Sequence, residues 1–433
     1  MSSILLANKF FYLNGGSETV FFQEREFLKG QGLKVIDFSM QHPNNFDSDY
    51  AEFFVANVDY SAAHKGFGQR IKMAKDFISN PEAVRKLQAL ITQERPALAH
   101  LHNIYHQLTP SIIPILRDRG VKVILTLHDY KLICPSYAML NNGAICSQCQ
   151  GRHFWKAAKN RCLDGSLFKS LLLSCEAYWH FWAKSYEAVD LFISPSRFLA
   201  DMVSQSRLKG KRVFILPNGI DLQRYLPSGK DEGYILYFGR LSKEKGIETL
   251  LKAYTQYLST SSFPLRIIGT GPLESVLRSK YQNTGQKVEF CGYKFGEELR
   301  KYIDAASLVV VPSEWNENCS MVVLESMAMG KPVIASRIGG LPEQIEDGET
   351  GHLFEMGNAE DLAAKMEELM RRPSLRRQMG QKAREKAERE YSLERHCLAL
   401  LKIYDEVLEG NLITTRRQDE KKSTANKRVA FAH

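Results

Sequence analysis

VVVPSEWNENCSMVVLESMAMGKPVIASR, Val309 to Arg337, is the stretch that decides the fold. It continues an apolar run, Ser307 to Val311, that reads as a fully buried parallel strand. Pro312 and Ser313 end the strand, and a polar loop, Glu314 to Cys319, follows. A helix then begins near Ser320 and stops before Gly330, with Lys331-Pro332 as its stop signal. A second apolar strand starts at Pro332. Together these make a βαβ unit, and ligands of such units lie beyond the carboxyl ends of the strands.

Two carboxylates mark the unit, Glu317 and Glu325, with seven residues between them. Glu317 falls in the loop. Glu325 falls more than one turn inside the helix, on a side shared with Val322 and Met329. Between the acids, just after Asn318, the amides of Cys319, Ser320 and Met321 stand where a helix leaves its first donors unpaired. Such donors suit a phosphate or a sugar hydroxyl. One acid can then reach one end of a ligand, the other acid the far end, and the amides the middle. The competing reading is a solvated loop acid and a rim acid on an amphipathic helix. For an isolated pair of glutamates that reading is the commoner one.

The pair is not isolated. Glu317 to Glu325 matches the E-x7-E signature of the family 4 glycosyltransferases, and the chain resembles that family further in GKPVIAS, Gly330 to Ser336, and GGLPE, Gly339 to Glu343. The resemblance runs from the first glycine loop to about Tyr404. It implies the GT-B fold: α/β, two doubly wound Rossmann-like domains facing each other across a cleft. It also implies that the first acid binds the donor sugar's hydroxyls and the second binds the ribose.

A chain of 433 residues is too long for one ordinary core, which agrees with two domains. The net charge of +9 suits an anionic ligand, an anionic membrane surface or nucleic acid, and chooses among none of them. No apolar run reaches the ~20 residues that span a bilayer. The opening MSSILLANKFFYLNGG lacks a basic n-region and a small-residue cleavage site, and reads as a first strand rather than a signal peptide. A cytoplasmic location is the expectation, peripheral at the inner face of the membrane if the chain meets lipid.

In the first domain, expected over 1–221, Ile4 to Ala7 is a short strand that runs into Asn14-Gly15-Gly16-Ser17-Glu18 and a helix, Thr19 to Lys29. Paired glycines let backbone amides approach an oxyanion, although a lone Gly-Gly is usually a turn. In the resembled family this loop faces the donor phosphates and the acceptor, which implies that role for Gly15 and Gly16. Further strands are expected at Lys34 to Ser39, Ala97 to Leu101, Val121 to Leu127, Asp190 to Ser194 and Arg212 to Leu216, with helices over Asp59 to Arg95. Two strand ends carry His102-Asn103 and His128-Asp129. His102 and Asn103 read equally well as turn and packing residues. For His128 the resemblance implies a place near the reacting sugar.

Cys134, Cys146, Cys149 and Cys162 depart from the family's plain pattern. A C-x2-C core with a further Cys on each side has the count and softness for tetrahedral zinc. In a reducing compartment thiolates at this spacing favour a metal over a disulfide. A bound zinc would be structural, since no ligand position stays open, and is worth roughly 10–16 kcal/mol in small zinc modules. The outer spacings are irregular, so Cys134 or Cys162 could stand outside the ligand set. Beyond the cluster, Trp155, Lys156, Lys159, Phe168, Lys169 and Tyr178 to Trp182 mix aromatic and basic residues. That pattern fits a helix lying in a membrane interface and equally a core helix with a solvated basic face. No nucleic-acid motif accompanies it, and no nucleic-acid partner is expected.

The second domain, expected over 222–390, begins after the turn Pro217-Asn218-Gly219. Tyr234 to Phe238 is its first strand, followed by Gly239-Arg240 and Ser242-Lys243-Glu244-Lys245-Gly246 before a helix. Two cations on one short loop can neutralise a diphosphate from two sides, and the fork of Arg240 fits phosphate oxygens best. The order of strand, Gly-Arg, Lys-Gly and helix is the resembled family's donor-phosphate motif. Gly269, at the end of the strand Leu265 to Ile268, lets a nucleotide approach the backbone. Tyr293, after Val288 to Phe290, stands where that family places the nucleobase. The last helix, within 391–408, is expected to return to the first domain. The tail 409–433 reads as disordered.

The sequence therefore predicts a retaining glycosyltransferase that moves a sugar from a nucleotide-diphosphate donor to a saccharide or lipid-linked acceptor, as in cell-surface polysaccharide assembly. Arg240 and Lys245 would stabilise the leaving group, so no catalytic metal is expected. The alternatives are a nucleotide-sugar epimerase of the same fold and a non-catalytic nucleotide-sugar-binding protein.

Overall fold

A computed structural model describes residues 3–58, 67–205, 210–259, 261–281 and 287–410. The first sheet is built from β1 (Ser3–Ala7), β2 (Lys34–Phe38), β3 (Leu98–Leu101) and β4 (Lys122–Thr126). After the small hairpin β5 (Leu140–Asn141) and β6 (Ala144–Ile145), β7 (Leu191–Ser194) and β8 (Val213–Ile215) complete it. All its pairings are parallel, in the order β2-β1-β3-β4-β7-β8.

The second sheet repeats the plan with β9 (Ile235–Phe238), β10 (Leu265–Ile268), β11 (Val288–Gly292), β12 (Leu308–Val311), β13 (Val333–Ser336) and β14 (Gly351–Phe354). Its order is β11-β10-β9-β12-β13-β14, again parallel. β9, β12, β13 and β14 are short and buried on both faces, as helix-covered parallel strands must be, while the edge strand β11 leaves Glu289 exposed. Strand order reverses between β1 and β3 in one sheet and between β9 and β12 in the other. Ligand crevices of doubly wound sheets open at such reversals.

The chain passes between the two sheets twice, side by side. The Ile220 amide donates to the Tyr391 carbonyl at 2.8 Å, and the Leu393 amide donates to the Ile220 carbonyl at 2.9 Å. The last helix, Leu393–Glu409, then packs Leu400, Ile403, Tyr404 and Val407 against Ile4, Leu6, Phe21 and Leu28 of the first domain. Ser392 caps its start by accepting from the Arg395 amide.

Some expectations shift. Glu409 closes this helix rather than opening the tail, and 411–433 lie outside the described residues. The helices expected over Asp59 to Arg95 are Phe67–Ile78 and Pro81–Glu94, with 59–66 outside the description. The hairpin of β5 and β6 was not expected at all, because two-residue strands carry no readable alternation.

Candidate active site

The loop after β9 and the loop after β12 pack backbone to backbone. Lys245 ends a single 3-10 turn, Lys243–Lys245, and Gly246 follows with φ 64°. A Cβ at Gly246 would lie 1.7 Å from the Pro312 carbonyl oxygen, so no other residue fits there. The Glu314 amide donates to the Glu244 carbonyl at 2.9 Å and fixes the same register. This contact delivers Lys245 to Glu317: its Nζ donates to Glu317 Oε1 at 2.7 Å. The Ser313 hydroxyl donates to the same oxygen at 2.7 Å, and Lys245 Nζ sits 4.9 Å over the Trp315 ring. Burial pushes the Glu317 carboxyl upward, but Lys245 first, then Trp315 and Ser313, outweigh it and hold the group below its ordinary value.

Arg240 leaves β9 on the same loop. Its carbonyl accepts from the Tyr237 hydroxyl at 2.8 Å, while its side chain is exposed and forms no ion pair among the described residues. The Arg240 charge acts on Tyr137, which belongs to the cysteine-rich segment of the first domain. The turn of the β5–β6 hairpin reaches the same place, since a Cβ at Gly143 would lie 2.9 Å from Lys243 Cε. The inserted segment thus covers the cation-bearing loop from across the cleft.

The first domain supplies the opposite wall. Asn318 Nδ2 donates to the His128 carbonyl at 2.8 Å, and Asn218 Nδ2 donates to the Cys319 carbonyl at 3.2 Å. Gly16 stands over the start of the helix Met321–Ala328, where its Cβ would lie 3.2 Å from Met321 Cγ. Gly15 lies one residue before it and is exposed. GGLPE docks as well: Glu343 accepts from the Arg197 and Phe198 amides at 2.8 and 2.7 Å, at the start of a first-domain helix. The His128 ring is half-buried, with Nε2 2.8 Å from His102 Nδ1, and burial, followed by His102, pushes its pKa down to about 3.

One expectation about the helix start fails. The Ser320 amide is not free, because it donates to Gln344 Oε1 at 2.8 Å in a buried contact. Among the three expected donors, the amides of Cys319 and Met321 are the ones left for a ligand among the described residues. The Cys319 thiol is buried against Gln344, and burial raises it to about 12.

Glu325 lies one helix turn deeper. Its Oε1 accepts from the Tyr225 hydroxyl at 2.8 Å. Burial raises its carboxyl to about 7, against the pull of Tyr225 and Arg300. Gly269 has a packing reason of its own: a Cβ there would lie 1.9 Å from the Gly239 carbonyl oxygen, so it lets the β9 and β10 loops touch. Tyr293 is 67% exposed and stacks on Phe295 at 6.0 Å, an uncovered aromatic pair at the end of β11.

Sequence reasoning missed Ser313, Tyr225, Gln344 and Tyr130. The Tyr130 hydroxyl is buried, has no hydrogen-bond partner among the described residues, and lies within electrostatic reach of Glu317. Asn318 Oδ1 is likewise unpartnered. Unpaired buried polar atoms are rare, and two beside one cleft mark a place for a polar ligand. Tyr130 stands two residues past His128 at a strand end, which is the signal that could have found it.

The four cysteines gather without pairing, and all are free thiols. Burial first, then Cys134, Cys162 and Cys146, push Cys149 up to about 12; burial and two of the same neighbours push Cys162 to about 11. Among the described residues, the metal-type side chains whose ligand atoms all lie within 4.8 Å of one another are Glu24, His100 and His102. The thiols share one neighbourhood but are not at that spacing. Past them, the helix Leu167–Trp182 exposes Phe168, Leu171, Trp179 and Trp182. No helix among the described residues is long and apolar enough to cross a membrane.

Two family descriptions and a set of relatives match the chain. The family description "Glycosyltransferase Family 4" matches residues 14–224, and "Glycosyl transferases group 1" matches residues 221–386. An uncharacterised glycosyltransferase of Methanocaldococcus jannaschii is 31% identical over 378 residues, covering 87% of this chain and 91% of that protein. Among solved structures, sucrose-phosphate synthase from Thermosynechococcus elongatus superposes with TM-score 0.71 at 22% identity, over 95% of this chain and all of that one (100%). The Anabaena HepE protein in complex with UDP-glucose gives TM-score 0.61 at 16% identity, over 94% and 100%. At these identities the solved structures speak to the fold.

Proposed function

We propose, for a chain that belongs to the family 4, group 1 glycosyltransferases with a GT-B fold, that it transfers a sugar with retention from a nucleotide-diphosphate donor to an acceptor hydroxyl. The observation that carries this reading is the 2.7 Å contact of Lys245 with Glu317, beside an Arg240 that no acid neutralises among the described residues. A buried acid that positions sugar hydroxyls and cations that receive a diphosphate are thereby adjacent.

The chemistry follows. The bond from the sugar's C1 to the diphosphate oxygen breaks, and the electron pair stays on the diphosphate. Arg240 and Lys245 stabilise that charge. The acceptor oxygen bonds to C1, and its proton passes to the departing diphosphate on the same face. Glu317 and the Cys319 amide hold the sugar, His128 and Gly16 close over it, Glu325 takes the ribose hydroxyls, and Tyr293 with Phe295 offers the base a stacking surface. The Anabaena protein's UDP-glucose complex supports a uridine donor as the first to try.

The acceptor, in this proposal, is carried at an anionic membrane surface in the cytoplasm. The support is the exposed aromatic face of Leu167–Trp182 with Lys156, Lys159 and Lys169 around it. Cys134, Cys146, Cys149 and Cys162, also by proposal, would hold a structural zinc, and the cross-link it supplied would stiffen the hairpin over Lys243.

A screen of nucleotide sugars for thermal stabilisation, followed by nucleotide release with candidate acceptors, tests the reading. Stabilisation by one donor, lost in Arg240→Ala, and a product of unchanged anomeric configuration are expected. Turnover of donor with no acceptor present, giving an epimerised sugar, would overturn it.

A further inference from the structure

Behind His128 runs a buried line of polar groups that the donor site does not use. His102 turns Nδ1 to His128 Nε2 at 2.8 Å and Nε2 to Glu24 Oε2 at 3.4 Å. The other carboxylate oxygen, Glu24 Oε1, lies 3.0 Å from His396 Nε2, and His396 Nδ1 lies 2.7 Å from the Pro217 carbonyl. Glu24 and His102 are both buried.

The proton positions follow from which atoms can donate. Burial disfavours charge on Glu24, but the imidazoles of His102, His396 and His100 hold it well below the ordinary carboxylate range, so it is ionised. An ionised carboxylate and a carbonyl only accept. His396 faces one of each, so the geometry has both ring nitrogens donate. The other oxygen, Glu24 Oε2, has His102 Nε2 and His100 Nδ1 each at 3.4 Å; His100 Nδ1 is engaged with the Tyr404 hydroxyl at 2.7 Å, so the donor assigned to the carboxylate is His102 Nε2–H. His102 Nδ1 is left as a lone pair. The one proton in the 2.8 Å contact must therefore come from His128 Nε2.

We propose that Glu24 and His102 are positioning residues that fix His128 in its Nε2–H tautomer, so that the remaining nitrogen, Nδ1, is an acceptor for a hydroxyl of the transferred sugar. The same trio does not serve as a metal site. His100 Nδ1 already faces the Tyr404 hydroxyl at 2.7 Å, and His102 Nε2 carries the proton turned to Glu24, so neither imidazole offers a lone pair beside the carboxylate. The arrangement follows the logic of a carboxylate that orients an imidazole through its far nitrogen, here with a second imidazole interposed.

The proposal rests on the transferase reading for its sugar, but its test does not. Nitrogen-15 NMR of histidine-labelled full-length protein without nucleotide reads each tautomer, with signals assigned from His102→Gln and His128→Gln. Both rings are expected to be protonated at Nε2 and bare at Nδ1. Glu24→Gln puts an amide donor against His102 Nε2, and the expected result is a shift of both protons to Nδ1. A wild-type His128 protonated at Nδ1 overturns the proposal, as does a folded Glu24→Gln protein whose His128 keeps its Nε2 proton. If Glu24→Gln does not fold, the two wild-type rings decide alone. Failure of every nucleotide sugar to bind would overturn the transferase reading and leave the tautomer result standing.

Discussion

Asn318 reaches across the cleft and donates its Nδ2 proton to the main-chain carbonyl of His128 at 2.8 Å, joining the E-x7-E loop of one domain to the strand end of the other. A single neutral hydrogen bond of this kind is worth about 1 kcal/mol. Asn318→Ala should therefore lower the melting temperature by a few degrees at most, while turnover falls roughly tenfold, about 1.4 kcal/mol in the barrier. Thermal melts beside steady-state kinetics check both. A stability loss with unchanged turnover would deny the contact a role in assembling the site.

Breaking the Lys245–Glu317 pair from one side should hurt more than removing it whole. Lys245→Met leaves a buried carboxylate without its cation, a loss of ~3–5 kcal/mol for fully buried pairs and less here because Lys245 is partly exposed. The double variant Lys245→Met with Glu317→Gln should recover most of that stability and none of the donor binding. Denaturant unfolding of the four proteins in the cycle measures the coupling.

Glu325 predicts a pH signature. Its carboxyl stands near 7 in the fold, against 4.5 in the open chain, so the folded state holds the extra proton between those values. The stability from this group is present below about pH 4.5 and is lost as pH rises through 7. Glu325→Gln should match wild type near pH 5 and exceed it by about 1–2 kcal/mol at pH 8, after allowance for partial exposure. Binding of UDP-glucose, whose phosphates do not titrate in this range, should tighten from pH 6 to 8 in wild type. Calorimetry of the variant should show weaker, pH-independent binding.

If the cysteines hold zinc, protein purified without added metal should carry one ion per chain. Cys146→Ser with Cys149→Ser should lose it, and a chelator should lower the melting temperature of wild type and not of the variant. Elemental analysis showing no zinc in fresh protein would end that idea.

The exposed face of Leu167–Trp182 should bind lipid. Phe168→Ser with Trp182→Ser should abolish sedimentation with anionic phospholipid vesicles and leave binding to neutral vesicles, expected to be weak, unchanged. Equal binding by wild type and variant would assign the aromatics elsewhere.

Most of the fold was legible because the central parallel strands are short apolar runs that polar or small residues end, as at Val311-Pro312 or Phe238-Gly239. The loops after such strands carry the site, so Arg240, Lys245 and Glu317 could be named before their contact was seen. What escaped notice depends on partners far apart in the chain. Tyr225 and Glu325 are 100 positions apart, and Glu24 and His396 are 372 apart. No local period betrays such pairs. Gln344, which takes the Ser320 amide, sits just past the GGLPE run and reads as an ordinary helix residue until the two loops are stacked.

The two chain crossings at Ile220 and at 391–393 are stitched to each other rather than placed at opposite edges. Two adjacent tethers of fixed length forbid the lobes from sliding or pulling apart. They leave a swing about the seam, as covers turn about a spine, and any such opening must part the contacts that bridge the cleft, Asn318 with His128 and Gly143 against Lys243.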